Sequence, residues 1–372
     1  MTIVLGLVGL SFLVVFHEFG HFIVAKLYGV KVETFSLGMG PVLLHHKWGD
    51  ADFRLSLIPF GGYCGMKGEK DYQKALEENL SEIQGEKDSF YGTHPLKRLL
   101  IAFAGPFFNL LFAFIAFFIV ALVGYSYYDA DTQVRMADTV YEGTESIAHK
   151  SGMQDGDIIV SINGKNMDYF TDIAQYIAMH GDEDLTVRIN RDNNFFDLII
   201  HSDLDKETGS GKIGVVSSNF DKERFYGPFP VGKAVCEGAF QTAFMLKSVV
   251  ESVAILFKGI NISSAVCGPV RITTLIGDTV SEGFKEGLHS GLVSSLKLLS
   301  LISISLFFTN LLPIPILDGG IIVFAFFEFI ARKKIHPKVL YYIQIAGLFI
   351  IGLIVILAVS SDIRYFISRG NL

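Results

Sequence analysis

The chain has 372 residues, 50% of them hydrophobic and only 19% charged, with a mean hydropathy of +0.43. Soluble domains carry about 25% charged residues, so the composition disfavours a soluble enzyme, and a formal charge of −7 without a basic stripe argues against a nucleic-acid partner. Cys64, Cys236 and Cys267 stand far apart and form no C-x-x-C pair, so they give no disulfide framework.

A membrane-spanning helix needs about 20 mainly apolar residues. The first such stretch, residues 2–26, is interrupted only by a polar cluster at 17–21. It lacks the basic leader of a signal peptide and reads as a retained membrane segment. Its cluster is His17-Glu18-Phe19-Gly20-His21. On a helix, positions i and i+4 share one face, so both imidazoles point the same way and Glu18 lies close beside them. This H-E-x-x-H pattern supplies two zinc ligands and a general base. Ionisable groups inside an apolar span are costly and therefore point to function.

Residues 51–66, ADFRLSLIPFGGYCGM, carry a partly alternating run that Pro59 and Gly61-Gly62 end. It reads as a hairpin or re-entrant strand dipping toward the site. An unpaired edge at Phe53, Arg54, Leu55, Ser56 and Leu57 would bind an unwound substrate by backbone hydrogen bonds. The alternative is an ordinary cytoplasmic hairpin. Residues 67–95, rich in Lys and Glu, read as a solvated excursion.

The second span is 97–124. Residues 131–217 then turn polar, with turn signals Asp155-Gly156 and Asn163-Gly164 around the strand-like run Ile158–Ile162. Residues 231–260 are apolar but carry Lys233, Glu237, Lys247, Glu251 and Lys258. They read as an amphipathic helix at the membrane surface, the alternative being a fifth span. The third stretch, 291–329, is broken by Asn310, Pro313, Pro315 and Asp318, and the fourth, 339–360, is uninterrupted. Between them lies the short loop ARKKIHPK; basic loops stay cytoplasmic, which places 125–290 outside and 27–96 inside.

A catalytic zinc usually keeps three protein ligands and one open position. Pro313 and Pro315 forbid a regular helix, and irregular backbone at membrane depth is tolerated where protein or water surrounds it. Asp318 is thus presented from a broken helix at the same inner depth as His21, and is the candidate third ligand.

HEFGHF (17–22) and NLLPIPILDGG (310–320) resemble the site-2 protease family of intramembrane zinc metalloproteases, in its bacterial sigma-E-regulating type. AGPFFN (104–109) resembles that family's Gly-Pro-x-x-Asn element, and GMQDGDIIVSINGK (152–165) resembles a PDZ domain. The resemblance covers nearly the whole chain. It implies one zinc ion held by His17, His21 and Asp318, with Glu18 as the base. Asn310 would hold the substrate or its developing oxyanion, with Asn109 also in the substrate site. Implied substrates are single-span membrane proteins, namely anti-sigma factors or remnant signal peptides. The best-known members carry two tandem PDZ domains, whereas this chain shows one, acting as a filter against bulky ectodomains or purely as structure.

The expected fold is a polytopic α-helical membrane protein of about four transmembrane helices, with an inserted extracytoplasmic α+β PDZ domain and a membrane-associated β-hairpin. Its parts would be a membrane half over 1–130, the PDZ domain over 131–217, an interfacial helical segment over 218–290 and a second membrane half over 291–372. The expected location is the inner (cytoplasmic) membrane, with the lipid bilayer as a partner. A zinc-carrying transporter would show polar residues along several spans, whereas here they gather at one depth. A PDZ-tethered scaffold without catalysis would not need Glu18.

Overall fold

The computed structural model describes residues 2–206, 208–218, 222–255 and 267–370. The chain divides into two compact units, one from 1–121, 230–246 and 267–372, the other from 122–229 and 247–266.

The first unit opens with helix α1 (Thr2–Leu27). It closes on Gly29 at φ +77°, and the Val30 N–H donates back to the Ala25 carbonyl at 2.9 Å, a left-handed cap. Two long bent strands follow, β1 (Val32–Trp48) and β2 (Ala51–Met66), then α2 (Asp71–Glu77). Residues 34–37 pair with 62–65 on one side and with 52–55 on the other, while 44–48 also pair with 51–55. Residues 52–55 therefore lie inside the sheet, and 62–66 form an edge.

This corrects the expectation of an open edge for Phe53, Arg54 and Leu55, which are enclosed on both sides; Ser56 pairs only with Val42, and Leu57 has no register partner among the described residues. Phe53 packs among Phe22, Phe35 and Trp48. Arg54 Nε donates to Asp52 at 2.7 Å, and the Ser56 and Ser36 hydroxyls share a hydrogen bond at 3.1 Å. Alternation along one strand says which face is buried, but not how many neighbours the strand has.

Helix α3 (Pro95–Val123) begins on a proline, where the missing N–H costs nothing. The second unit continues with β3 (Tyr125–Asp129), β4 (Val134–Met136), α4 (Ala137–Val140), α5 (Ile147–Lys150), β5 (Ile158–Ile162), β6 (Lys165–Asn166) and α6 (Phe170–Met179). After these come β7 (Glu183–Arg191), β8 (Asn194–Leu204), β9 (Gly211–Lys212), β10 (Val215–Ser217) and β11 (Lys222–Tyr226). Five of the strands form a sheet in the order β6-β5-β7-β8-β9, while β4 pairs with β10 and β3 with β11. Asn163-Gly164 joins β5 to β6 with both residues at positive φ, the hairpin turn that matches strand twist. Ile159, Ile162, Ile173, Leu185, Val187, Ile189 and Ile200 fill this unit's core.

Helix α7 (Val231–Ile255) carries the charges noted at 231–260; residues 256–260 lie outside the described residues. Its Gly238 packs against Phe118 of α3. Then come α8 (Pro269–Glu286), α9 (Leu288–Asn310), α10 (Asp318–Ala331) and α11 (Pro337–Gly370). Among the described residues four helices are long and apolar enough to cross a membrane: α1, α3, α9 and the Pro337–Ile367 part of α11. The stretch expected as one broken span, 291–329, is divided. Helix α9 alone has spanning length, and the 14 residues of α10 give only about 21 Å.

Small residues set the close helix contacts, as expected where lipid removes the hydrophobic drive between helices. A Cβ at Gly6 would meet the Thr273 carbonyl oxygen at 1.9 Å, and one at Gly277 would meet that of Thr2 at 1.9 Å. Asp362 of α11 caps α8, accepting from the Gly268, Val270 and Arg271 N–H groups at 2.9, 3.0 and 3.2 Å. Arg98 of α3 and Glu328 of α10 form a buried ion pair, and the other Glu328 oxygen accepts from the Ile335 N–H at 2.8 Å.

Candidate active site

Helical spacing brings the His17 and His21 imidazoles to one face of α1, their Nε2 atoms 3.3 Å apart. Asp318 meets them from α10, with Oδ2 at 3.1 Å from His17 Nε2 and Oδ1 at 3.4 Å from His21 Nε2. The three ligand atoms lie within 4.8 Å of one another, and both histidines are buried.

Two features of the chain allow Asp318 to arrive. Residues 311–317 turn tightly, with the Ile314 N–H donating to Leu312 at 2.7 Å and the Leu317 N–H to Ile314 at 2.9 Å. The following glycines let this loop fold over the start of α10. A Cβ at Gly319 would sit 2.2 Å from the Leu312 carbonyl oxygen, and one at Gly320 would sit 2.5 Å from that of Ile314. Asp318 is the first residue of α10, where the helix dipole favours negative charge.

The donor set fits a divalent transition ion, since two imidazoles and a carboxylate suit zinc. Each histidine also has an outer partner that would fix its tautomer. His21 Nδ1–H donates to the Ile101 carbonyl at 2.8 Å, leaving Nε2 with its lone pair. The Asn109 amide nitrogen stands 3.0 Å from His17 Nδ1, while Asn109 Oδ1 is buried without a partner. The two ends of an amide are nearly indistinguishable. Exchanging them lets Oδ1 accept the His17 Nδ1–H, which frees His17 Nε2 for a metal and satisfies the orphaned oxygen.

Helix α3 comes so near that only glycine fits opposite the imidazoles. A Cβ at Gly105 would lie 2.2 Å from His21 Nε2 and 2.7 Å from His17 Cε1. Gly20 does the same from α1, its Cβ falling 2.4 Å from the Ala104 carbonyl oxygen. Metal-ligand spacing marks neither glycine, but the Gly105-Pro106 pair inside an apolar span is a sequence sign of close helix approach.

Glu18, Asn310 and Asn109 line the same cavity of about 580 Å³ as His17, His21 and Asp318. Its wall also includes Gly61, Gly62, Tyr63, Cys64 and Met66 of β2, so the edge beside the site is 62–66, and Phe53–Leu57 are not part of it. Gly62 lies against Glu18: a Cβ there would be 3.5 Å from Glu18 Cγ.

The chain is similar to known proteins along nearly its whole length. A family model described as peptidase family M50 matches residues 5–354. Three bacterial relatives named "Putative zinc metalloprotease" match nearly end to end. That of Treponema pallidum is 33% identical over 98% of this chain and 99% of its own. That of Borreliella burgdorferi is 29% identical over 94% and 95%, and that of Campylobacter jejuni 31% over 97% and 92%. A crystal structure of the HtrA3 PDZ domain with a phage-derived ligand aligns with 27% of this chain and 97% of its own, at 18% identity and a TM-score of 0.15.

Proposed function

Because this chain belongs to peptidase family M50, the site-2 protease family, and is a zinc metalloprotease of the membrane, we propose that it cuts single-span membrane proteins within or beside the bilayer. The observation that carries the reading is the meeting of His17, His21 and Asp318 beside Glu18 in one cavity.

In this reading the three residues hold one zinc ion. Zinc, when bound, supplies a Lewis acid that polarises the scissile carbonyl and acidifies the attacking water. Glu18 takes the proton from that water and delivers it to the leaving amine nitrogen. Asn310 holds the substrate or its developing oxyanion. A helix buries its carbonyls in its own hydrogen bonds, so the substrate must unwind. The edge 62–66 then binds it as an added strand, a role that moves here from the paired residues 52–55.

The substrates are anti-sigma factors or remnant signal peptides, and cleavage is a step of regulated proteolysis at the inner membrane. The unit between α3 and α7 is an extracytoplasmic PDZ domain that hinders bulky ectodomains.

The test is Glu18→Gln in the full chain, assayed on a single-span substrate. The expected result is a loss of cleavage of about 10²- to 10⁴-fold with zinc content and melting temperature unchanged. Cleavage at the wild-type rate would remove Glu18 from the mechanism.

A further inference from the structure

The active-site cavity holds a charged group that the reaction leaves idle. Among the described residues its walls carry the carboxylates Glu18, Glu69 and Asp318 and no lysine or arginine. Glu69 comes three residues after the edge 62–66, its N–H donating to the Met66 carbonyl at 3.3 Å. The turn depends on Gly68 at φ +80°, where a Cβ would lie 2.6 Å from Asp71 Oδ2 and from Ser89 Cβ. The backbone thus delivers Glu69 to the end of the strand that runs beside His17 and His21.

Glu69 has no ion pair among the described residues, and Lys67, two positions earlier, is engaged by Asp88 and Glu86, both at 2.8 Å. Glu69 keeps an exposed side toward solvent, yet desolvation by the surrounding protein pushes its carboxyl up to about 7, repulsion from Glu18 and Glu33 adding to it against the pull of a Met66 backbone hydrogen bond and of His21. A carboxylate held without a counterion in such a place is stabilised by whatever cation arrives.

We propose that Glu69 is a specificity residue that receives a lysine or arginine side chain of the substrate strand paired to the edge 62–66, on the cytoplasmic flank of the scissile bond. The assignment rests on the protease reading above. Membrane spans carry Lys and Arg at their cytoplasmic ends, so a single-span substrate unwinding from that end brings a cation to this carboxylate. The resulting charge-assisted hydrogen bond is stronger than a neutral one and forms only when the substrate is in register.

The experiment uses the full chain in lipid nanodiscs and one single-span substrate made with Arg, Gln or Glu at successive cytoplasmic-flank positions. Wild type, Glu69→Gln and Glu69→Lys are compared, with melting temperature and zinc content measured for each. At one flank position, wild type should show a KM about tenfold lower for Arg than for Gln. Glu69→Gln should erase that difference, and Glu69→Lys should prefer the Glu substrate. Equal KM values across the wild-type series would overturn the proposal, as would a charge preference that persists in Glu69→Gln. If zinc-loaded wild type cleaves no substrate and matches Glu18→Gln, the protease reading itself fails, and this assignment falls with it.

Discussion

Gly105→Ala places the largest strain on the candidate zinc site for the smallest chemical change. The added methyl would sit 2.2 Å from His21 Nε2, where ordinary contact begins at 3.4 Å, so ring and helix must part by about 1.2 Å. Metal–ligand distances tolerate only about ±0.2 Å, and the same methyl meets His17 Cε1 at 2.7 Å, so neither ring can move toward the other. A misplacement of about 1 Å is worth about 100-fold in rate. Gly352→Ala is the matched control, since a Cβ there meets nothing within 4 Å and alanine is the better helix former. The assay is zinc content at buffered free zinc, followed by cleavage of a single-span substrate. Gly105→Ala should lose zinc affinity and cleave at least about 100-fold more slowly, while Gly352→Ala matches wild type. Zinc affinity within twofold of wild type in Gly105→Ala would refute the reasoning, because the rings would then not be where α3 presses on them.

Asn109→Ala removes the acceptor proposed for the His17 Nδ1–H and should weaken zinc binding by about 10- to 100-fold; unchanged binding in a zinc-competition titration would exclude that role. Arg98→Ala strands the buried Glu328 carboxylate and should cost about 3–5 kcal/mol, read as a lowered melting temperature, with Arg98→Met/Glu328→Leu costing less than the single change. Glu69 gives a pH signature of defined sign. Its carboxyl lies above the ordinary value of 4.5, at about 7, so the native state binds the extra proton and the group's contribution to stability, present below pH 4.5, is lost as pH rises to about 7. The melting temperature of Glu69→Gln relative to wild type should therefore rise across that window and stay level above it; a flat difference would show that the carboxyl is not held in its protonated form.

The Arg98–Glu328 pair and the Asp362 cap illustrate how this membrane unit is held. Apolar helix faces gain little by leaving lipid for one another. The specific contacts come from glycines that let backbones touch and from buried polar groups whose partners lie far along the chain. The link between 98 and 328 ties α3, which brings Gly105 and the Ile101 carbonyl, to α10, which brings Asp318.

Some of this was legible from residues alone because it is local. His17, Glu18 and His21 share a helix, and the angle between them is fixed by the helix itself. The four apolar stretches follow from the need to satisfy backbone groups in lipid, and Asn163-Gly164 announces its turn. Pro313 and Pro315 foretold where the helix stops, and so where Asp318 could be offered. What only tertiary structure decided was anything that depends on a neighbour distant in sequence. The imidazoles' outer partners, Ile101 and Asn109, come from another helix, and the need for glycine at 105 exists only because that helix approaches so closely. The free edge at 62–66, in place of the enclosed strand at 52–55, is a matter of register between bent strands. Glu69 became notable only once the fold had placed it in a cavity without a cation. Periodicity records which side of an element is buried; it carries no record of what lies against that side.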